Sequence, residues 1–154
     1  PFIILKFNPM SNYLGIDFGT KRMGLAWSDD LNIALPIGAI PGVDSKECMK
    51  NLSQEIEQRK IDQIVIGYPI HMDGKKGKRT EEVDHFITEL KKEFGLVIHR
   101  VDERLTSHAA EQALGKKAKT KKGRESGKID ATAACLILTD FLNRDSNDQN
   151  PEFC

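Results

Sequence analysis

Long hydrophobic runs are absent from the start of this chain, where an anchor or leader would first show. Pro1-Phe-Ile-Ile-Leu-Lys-Phe7 is apolar, but it is far shorter than a membrane span and lacks the layout of a signal peptide. Met10 is the expected natural initiator, and residues 1–12 are read as an N-terminal extension. Cysteine is scarce: Cys48, Cys135 and Cys154 are odd in number, far apart and without metal-ligand spacing. A disulfide framework and a thiolate metal site are thereby excluded, and reduced thiols in a cytoplasmic protein are expected, with Cys48 and Cys135 as small core residues. An excess of either charge is also missing. Lys plus Arg and Asp plus Glu are both 23, so whole-protein attraction to phosphate is weak and any polyanion must be held by local patches. The four histidines show no pairing at ligand spacing, and only His71, in a loop near a strand end, is placed to matter. No internal repeat is visible.

What is present is the composition of one globular domain. At 39% hydrophobic and 30% charged over 154 residues, the chain can bury a sizeable core and is not disordered along most of its length. Residues 13–142 form the expected domain, followed by a polar tail over 143–154. Tyr13-Leu-Gly-Ile-Asp-Phe18 alternates as a strand, with Leu14, Ile16 and Phe18 on one face and Gly15, Asp17 and Gly19 on the other. Gly24–Ser28 and Ala34–Ile40 follow as strands across the Asp29–Asn32 turn, giving an antiparallel meander. Asp44 and Glu47 resemble a capping box that opens a helix to about Arg59. Gln63–Gly67 is a continuous apolar run, expected for a strand buried on both faces. Val83, Phe86, Ile87, Leu90 and Phe94 keep helical period up to Gly95. A strand over 96–101 comes next, then a helix from Thr106 or Ser107 to about Leu114. A polar basic loop over 115–128 and an amphipathic helix over 129–142 complete the chain. This order predicts an α/β fold with a mixed five-stranded sheet, its first three strands antiparallel, flanked by helices.

Three carboxylates stand out. Asp17 shares its strand face with two glycines, which leave room for a phosphate, a metal or another backbone; an ordinary strand-end Asp is the plainer alternative. Asp130 lines up with Ala133, Ala134, Ile137 and Phe141, where a carboxylate is costly unless paired or metal-bound. A first-turn Asp favoured by the helix dipole reads equally well. In Asp102-Glu103-Arg104 only one acid can face a given side if the strand persists, and a solvated turn is the bland reading. Three carboxylates gathered from strand ends and a helix would suit hard ions such as Mg²⁺ or Mn²⁺. Two such ions about 4 Å apart can activate water and stabilise a leaving oxygen in phosphodiester cleavage. Between 116 and 128 seven basic residues face the single acid Glu125, which would suit a polyanionic substrate or be a merely solvated face. Lys75, Lys76, Lys78 and Arg79 form a weaker second patch.

The segment Leu14-Gly-Ile-Asp-Phe-Gly-Thr-Lys-Arg-Met-Gly-Leu-Ala-Trp-Ser-Asp29 resembles the opening signature of the YqgF (RuvX) family. Gly67-Tyr-Pro-Ile-His-Met-Asp-Gly74, Asp102-Glu-Arg-Leu-Thr106 with Ala110-Glu111, and Lys128-Ile-Asp-Ala-Thr-Ala-Ala134 match its later signatures in order. Four motifs in register over residues 13–142 are a specific likeness. The resemblance implies a ribonuclease H-like fold, similar to the junction resolvase RuvC, and a metal-dependent nuclease processing the 5′ end of pre-16S rRNA. It implies Asp17, Glu103 and Asp130 as catalytic, metal-holding acids, with Asp102 as the alternative to Glu103. The expected cofactor is Mg²⁺ or Mn²⁺, as two ions. Nucleic-acid contacts are expected from Lys21, Arg22, Arg104, Lys119, Lys121, Lys122, Arg124 and Lys128. The expected partners are precursor rRNA or branched DNA and ribosomal particles, with a monomer or weak dimer and no membrane. Departures are Tyr68 in place of the usual Leu, Met23 in place of Ile, and a longer basic loop. The strand ending Gly67-Tyr68-Pro69 has no carboxylate where RuvC-type resolvases carry one. Junction resolution is the alternative reading, a non-catalytic RNA-binding assembly factor the second, and a kinase-like ATPase the third, although 154 residues supply one lobe where such enzymes need two.

Overall fold

The computed structural model describes residues 11–69, 77–103 and 126–147. Five strands form one sheet in the order β3-β2-β1-β4-β5: β1 Tyr13–Asp17, β2 Arg22–Ser28, β3 Leu35–Pro41, β4 Gln63–Tyr68 and β5 Val97–Asp102. β1, β2 and β3 pair antiparallel, whereas β4 joins β1 and β5 joins β4 in parallel. A parallel neighbour needs a crossover, and α1 (Cys48–Gln58) and α2 (Lys78–Phe94) supply the two that are required. The predicted mixed sheet is therefore the observed one.

Alternation along the strands sends two sets of side chains to two cores. Leu14, Ile16, Phe18, Ile64 and Ile66 pack with Leu52 of α1 and Val83, Phe86, Ile87 and Leu90 of α2. On the other face Tyr13, Ala26, Val65 and Val101 pack against Ala134, Ile137, Leu138 and Leu142 of α3 (Ser126–Asn147). β4 is buried on both faces, as its unbroken apolar run requires. Burying each large aliphatic side chain contributes about 1.5–3 kcal/mol, so both layers hold the sheet.

Local signals fared unevenly. Gly95 ends α2 at φ 65°, donating its N–H to the Lys91 carbonyl at 3.0 Å; only a residue without Cβ adopts that conformation without cost. The capping box expected at Asp44 and Glu47 does not form. Glu47 precedes α1 with helical angles and no side-chain cap, and its N–H goes to Ser45 Oγ at 3.1 Å. α3 is longer at both ends than 129–142; it starts at Ser126, and it runs on to Asn147 because nothing between Lys128 and Asn147 is Gly or Pro and Arg144 suits a helix C-terminus. Residues 143–147, expected in the tail, are helical. The short helix expected over 106–114 lies outside the described residues, as does His71.

Cys48 is buried and Cys135 half-buried, both as free thiols. Burial pushes both thiols up, with the charge of Glu89 adding to the effect at Cys48, so neither is a ready nucleophile. Among the described residues no helix is long and apolar enough to cross a membrane.

Candidate active site

The sheet delivers three carboxylates to one end and one face. Asp17 closes β1 opposite Gly24 of β2. One step past the Ile16–Ile66 pair on the other side of β1 stands Gly67 of β4. Both glycines are pressed from the α3 side. A Cβ on Gly24 would lie 1.9 Å from the Asp130 carbonyl oxygen, and one on Gly67 would lie 2.6 Å from Glu103 Oε1 and 2.8 Å from Ile137 Cδ1. Asp130 thus sits over the strand on one side of Asp17, and the Glu103 carboxylate over the strand on the other. Neighbouring strands are about 4.8 Å apart, so the acids occupy three adjacent strand ends.

The same contacts separate Asp102 from Glu103. Asp102 pairs with Tyr68, whose side chain belongs to the α1–α2 core, so Asp102 is directed to that side. Glu103, one residue on, lies over Gly67 on the α3 side. Parity left the two open because the strand ends between them.

The glycines beside Asp17 do not leave an empty pocket. A Cβ on Gly15 would meet Leu138 Cβ at 3.0 Å and the Ala134 carbonyl at 3.1 Å, and one on Gly19 would lie 1.6 Å from the Arg22 carbonyl oxygen. Of the occupants considered from sequence, backbone is the one that approaches. Small residues on both partners, Gly15 and Gly24 on the sheet and Ala133 and Ala134 on the helix, bring α3 down and carry Asp130 to the site.

Electrostatics distinguish the acids. Arg22 Nε donates to Asp130 Oδ2 at 3.0 Å, an ion pair with side chains 56% and 24% exposed; a pair this wet is worth about 0.2–1 kcal/mol. Arg22 was expected on nucleic acid; the structure places it on an acid of the site. Glu103 is pushed above the ordinary glutamate value, chiefly by burial and further by the Asp102 charge, while Arg79 pulls it down. Among the described residues no group of three or more His, Cys, Asp or Glu side chains is gathered closely enough to hold a metal ion. The acids share a face without converging to ligand distance.

Comparison with known proteins then decides the family. The sequence profile of the RuvX family, described as Holliday junction resolvase, matches residues 11–144. The chain belongs to the RuvX family. It is 40% identical over 132 residues to a protein of Opitutus terrae named "Putative pre-16S rRNA nuclease", covering 85% of this chain and 90% of that one. A protein of the same name from Chlorobium chlorochromatii is 39% identical over 134 residues, covering 85% and 94%. Thermus thermophilus RuvC, solved with a Holliday junction substrate, matches with a TM-score of 0.52 at 12% identity, covering 88% of this chain and 96% of that one. That likeness shows the ribonuclease H-like fold. With its family, this RuvX-family chain is a hydrolytic nuclease.

Of the basic residues expected to touch nucleic acid, Lys21 is exposed in the turn between β1 and β2. Arg104, Lys119, Lys121, Lys122 and Arg124 lie outside the described residues, and for Lys128 the description covers helical backbone alone. Two features of this RuvX-family site were missed in the sequence. One is the Gly24 and Gly67 platform, which requires knowing which strands flank β1. The other is the attachment of Arg79, named in the sequence only within a weaker basic patch: from the start of α2 its Nη2 donates to the Phe18 carbonyl at 2.8 Å. An open depression of about 550 Å³ at the opposite end of β1, lined by Asn12, Trp27, Asp29 and Lys60 among others, is remote from the acids.

Two predictions arise here. Gly67→Ala sets its new methyl against the movable ends of Glu103 and Ile137, not against backbone. Stability should fall by no more than about 1 kcal/mol, yet cleavage should drop about tenfold or more because the Glu103 carboxylate is displaced. A melting curve beside a cleavage assay checks both halves. Glu103→Gln should stabilise the metal-free protein at neutral pH by about 1 kcal/mol. The folded-state value lies above the unfolded one, so the folded state binds the proton more tightly. The contribution of this group to stability therefore falls as pH rises from the ordinary glutamate value through the raised one. Denaturant titrations at pH 4 and pH 7.5 should show the stability advantage of the variant over the wild type growing with pH.

Proposed function

We propose that the chain hydrolyses phosphodiester bonds in precursor 16S rRNA, at its 5′ end, as a step in ribosome biogenesis in the cytoplasm. The observation that carries this reading is the placement of Asp17, Glu103 and Asp130 on one face of three adjacent strand ends, where Gly24 admits Asp130 and Gly67 admits the Glu103 carboxylate. The two curated relatives named above supply the substrate.

An all-oxygen carboxylate set fits a hard divalent cation, Mg²⁺ or Mn²⁺, better than a softer one. Asp17, Glu103 and Asp130 would hold it, as two ions. Bound there, the metal supplies an activated water and stabilises the departing oxygen. The chain's own groups do the rest. Asp17 anchors the centre because β1 lies between β2 and β4. Burial of Glu103 makes its negative charge costly, which favours a cation nearby. Release of Asp130 from Arg22 would free a carboxylate oxygen for the metal and a guanidinium for phosphate. The basic segment 116–128 supplies further phosphate contacts, and the protein acts as a monomer or weak dimer.

The resolvase reading has less behind it, since β4 ends at Tyr68 and passes into Pro69 without an acid. The experiment incubates the protein and its Asp17→Asn variant with precursor 16S RNA and with a four-way DNA junction, in Mg²⁺ or Mn²⁺. Cleavage of RNA alone, lost in the variant, is the expected result. Cleavage of the junction alone would move the activity to DNA, and no variant-sensitive cleavage of either would leave an RNA-binding assembly factor.

A further inference from the structure

Arg79 is placed where local energetics disfavour it. It follows Lys78 in the first turn of α2, where the helix dipole favours acids and repels cations. The side chain nevertheless does not simply extend into water. Nη2 donates to the Phe18 carbonyl at 2.8 Å, and the guanidinium carbon lies 4.8 Å from the centroid of the Phe18 ring. Nη1 stands 3.7 Å from Glu82 with the Arg79 side chain still 49% exposed. Phe18 directly follows Asp17, and its ring is fixed against Phe86 at 5.3 Å between centroids. A cation from α2 is thus pinned to the strand end that bears the first acid. Its charge also reaches Glu103, the acid over β4.

We propose that Arg79 binds the phosphate at the bond being cut, presenting a pre-oriented guanidinium to the oxygens on which charge develops; this rests on the nuclease reading above. Of the five N–H donors of the group, one makes a hydrogen bond among the described residues. A planar fork matches two phosphate oxygens at once, as an ammonium does not. The carbonyl and the ring hold it in place beforehand, so little freedom is lost when the phosphate arrives. The competing role is a strap that only ties α2 to β1.

Arg79→Gln and Arg79→Lys in the full chain separate the two roles. Binding of a short single-stranded RNA in EDTA is followed across salt concentrations, and cleavage is measured in Mg²⁺. Loss of one phosphate contact should lower the slope of log affinity against log salt by about 0.7 in Arg79→Gln, with cleavage falling about 100-fold. Arg79→Lys keeps the charge and the slope but should still cut about tenfold more slowly. An Arg79→Gln protein with the wild-type slope overturns the proposal, whatever its stability, because a strap makes no phosphate contact. Should Arg79→Gln fail to fold, Arg79→Lys decides, and a full cleavage rate in it overturns the fork. If the wild type cuts no RNA, the nuclease reading fails by itself, and the salt slope still reports on Arg79.

Discussion

Replacing Asp17 by Asn is expected to slow phosphodiester cleavage about 1,000-fold while leaving the fold intact. The shape of the side chain is preserved and only its charge is lost. Asp17 is half-buried at the end of the central strand, with Gly24 opposite it on β2 and Gly67 beside it on β4. A neutral amide there cannot offset a divalent cation, and the charge stabilisation such an ion supplies is several kcal/mol. About 4 kcal/mol corresponds to the stated loss of rate. Stability should change by less than about 1 kcal/mol, since no core contact is removed. Cleavage rates beside thermal melts make the check, and a variant within tenfold of wild-type activity would remove Asp17 from the site.

Gly24→Ala should act through stability first, costing about 3 kcal/mol. Its Cβ would lie 1.9 Å from the Asp130 carbonyl oxygen and 2.3 Å from the carbonyl carbon. Both are backbone atoms of a 22-residue helix, so relief requires moving α3 or the strand and not a side-chain end. Overpacking of a core costs about 1–3 kcal/mol, and backbone contact puts this position at the upper end. The melting temperature should drop by roughly 6–12 °C. Activity should fall with it even below the transition, because lifting α3 carries Asp130 off the site. A melting temperature within 2 °C of wild type would show that α3 does not rest on Gly24 in solution. The contrast with Gly67→Ala is diagnostic: one glycine admits a helix backbone, the other the tip of a carboxylate.

Much of this was legible in local periods. The alternation of Tyr13–Phe18, the unbroken run of β4, the helical spacing from Val83 to Phe94 and the stop at Gly95 each report the environment of a single element. Such patterns arise because one side of each element is buried, and a residue's neighbours along the chain record that. The four family signatures were equally readable, being contiguous stretches. Boundaries were read less well, as at the start of α1 and both ends of α3, where a cap or a missing breaker decides over two or three residues.

By itself, then, the sequence determined an α/β sheet with two helical layers and the likeness to the family, and it marked Asp17 and Asp130 as candidate acids with a plainer reading open for each. Only the tertiary structure decided which of Asp102 and Glu103 joins them, since the strand whose parity would settle it ends between the two. It also decided that the glycine face of β1 receives α3, that Arg22 meets Asp130 across 108 residues of chain, and that Arg79 meets Phe18 across 61. Each of these depends on which elements lie side by side. Side-chain periodicity fixes the face an element buries, whereas the partner on that face is fixed by the packing of the whole chain.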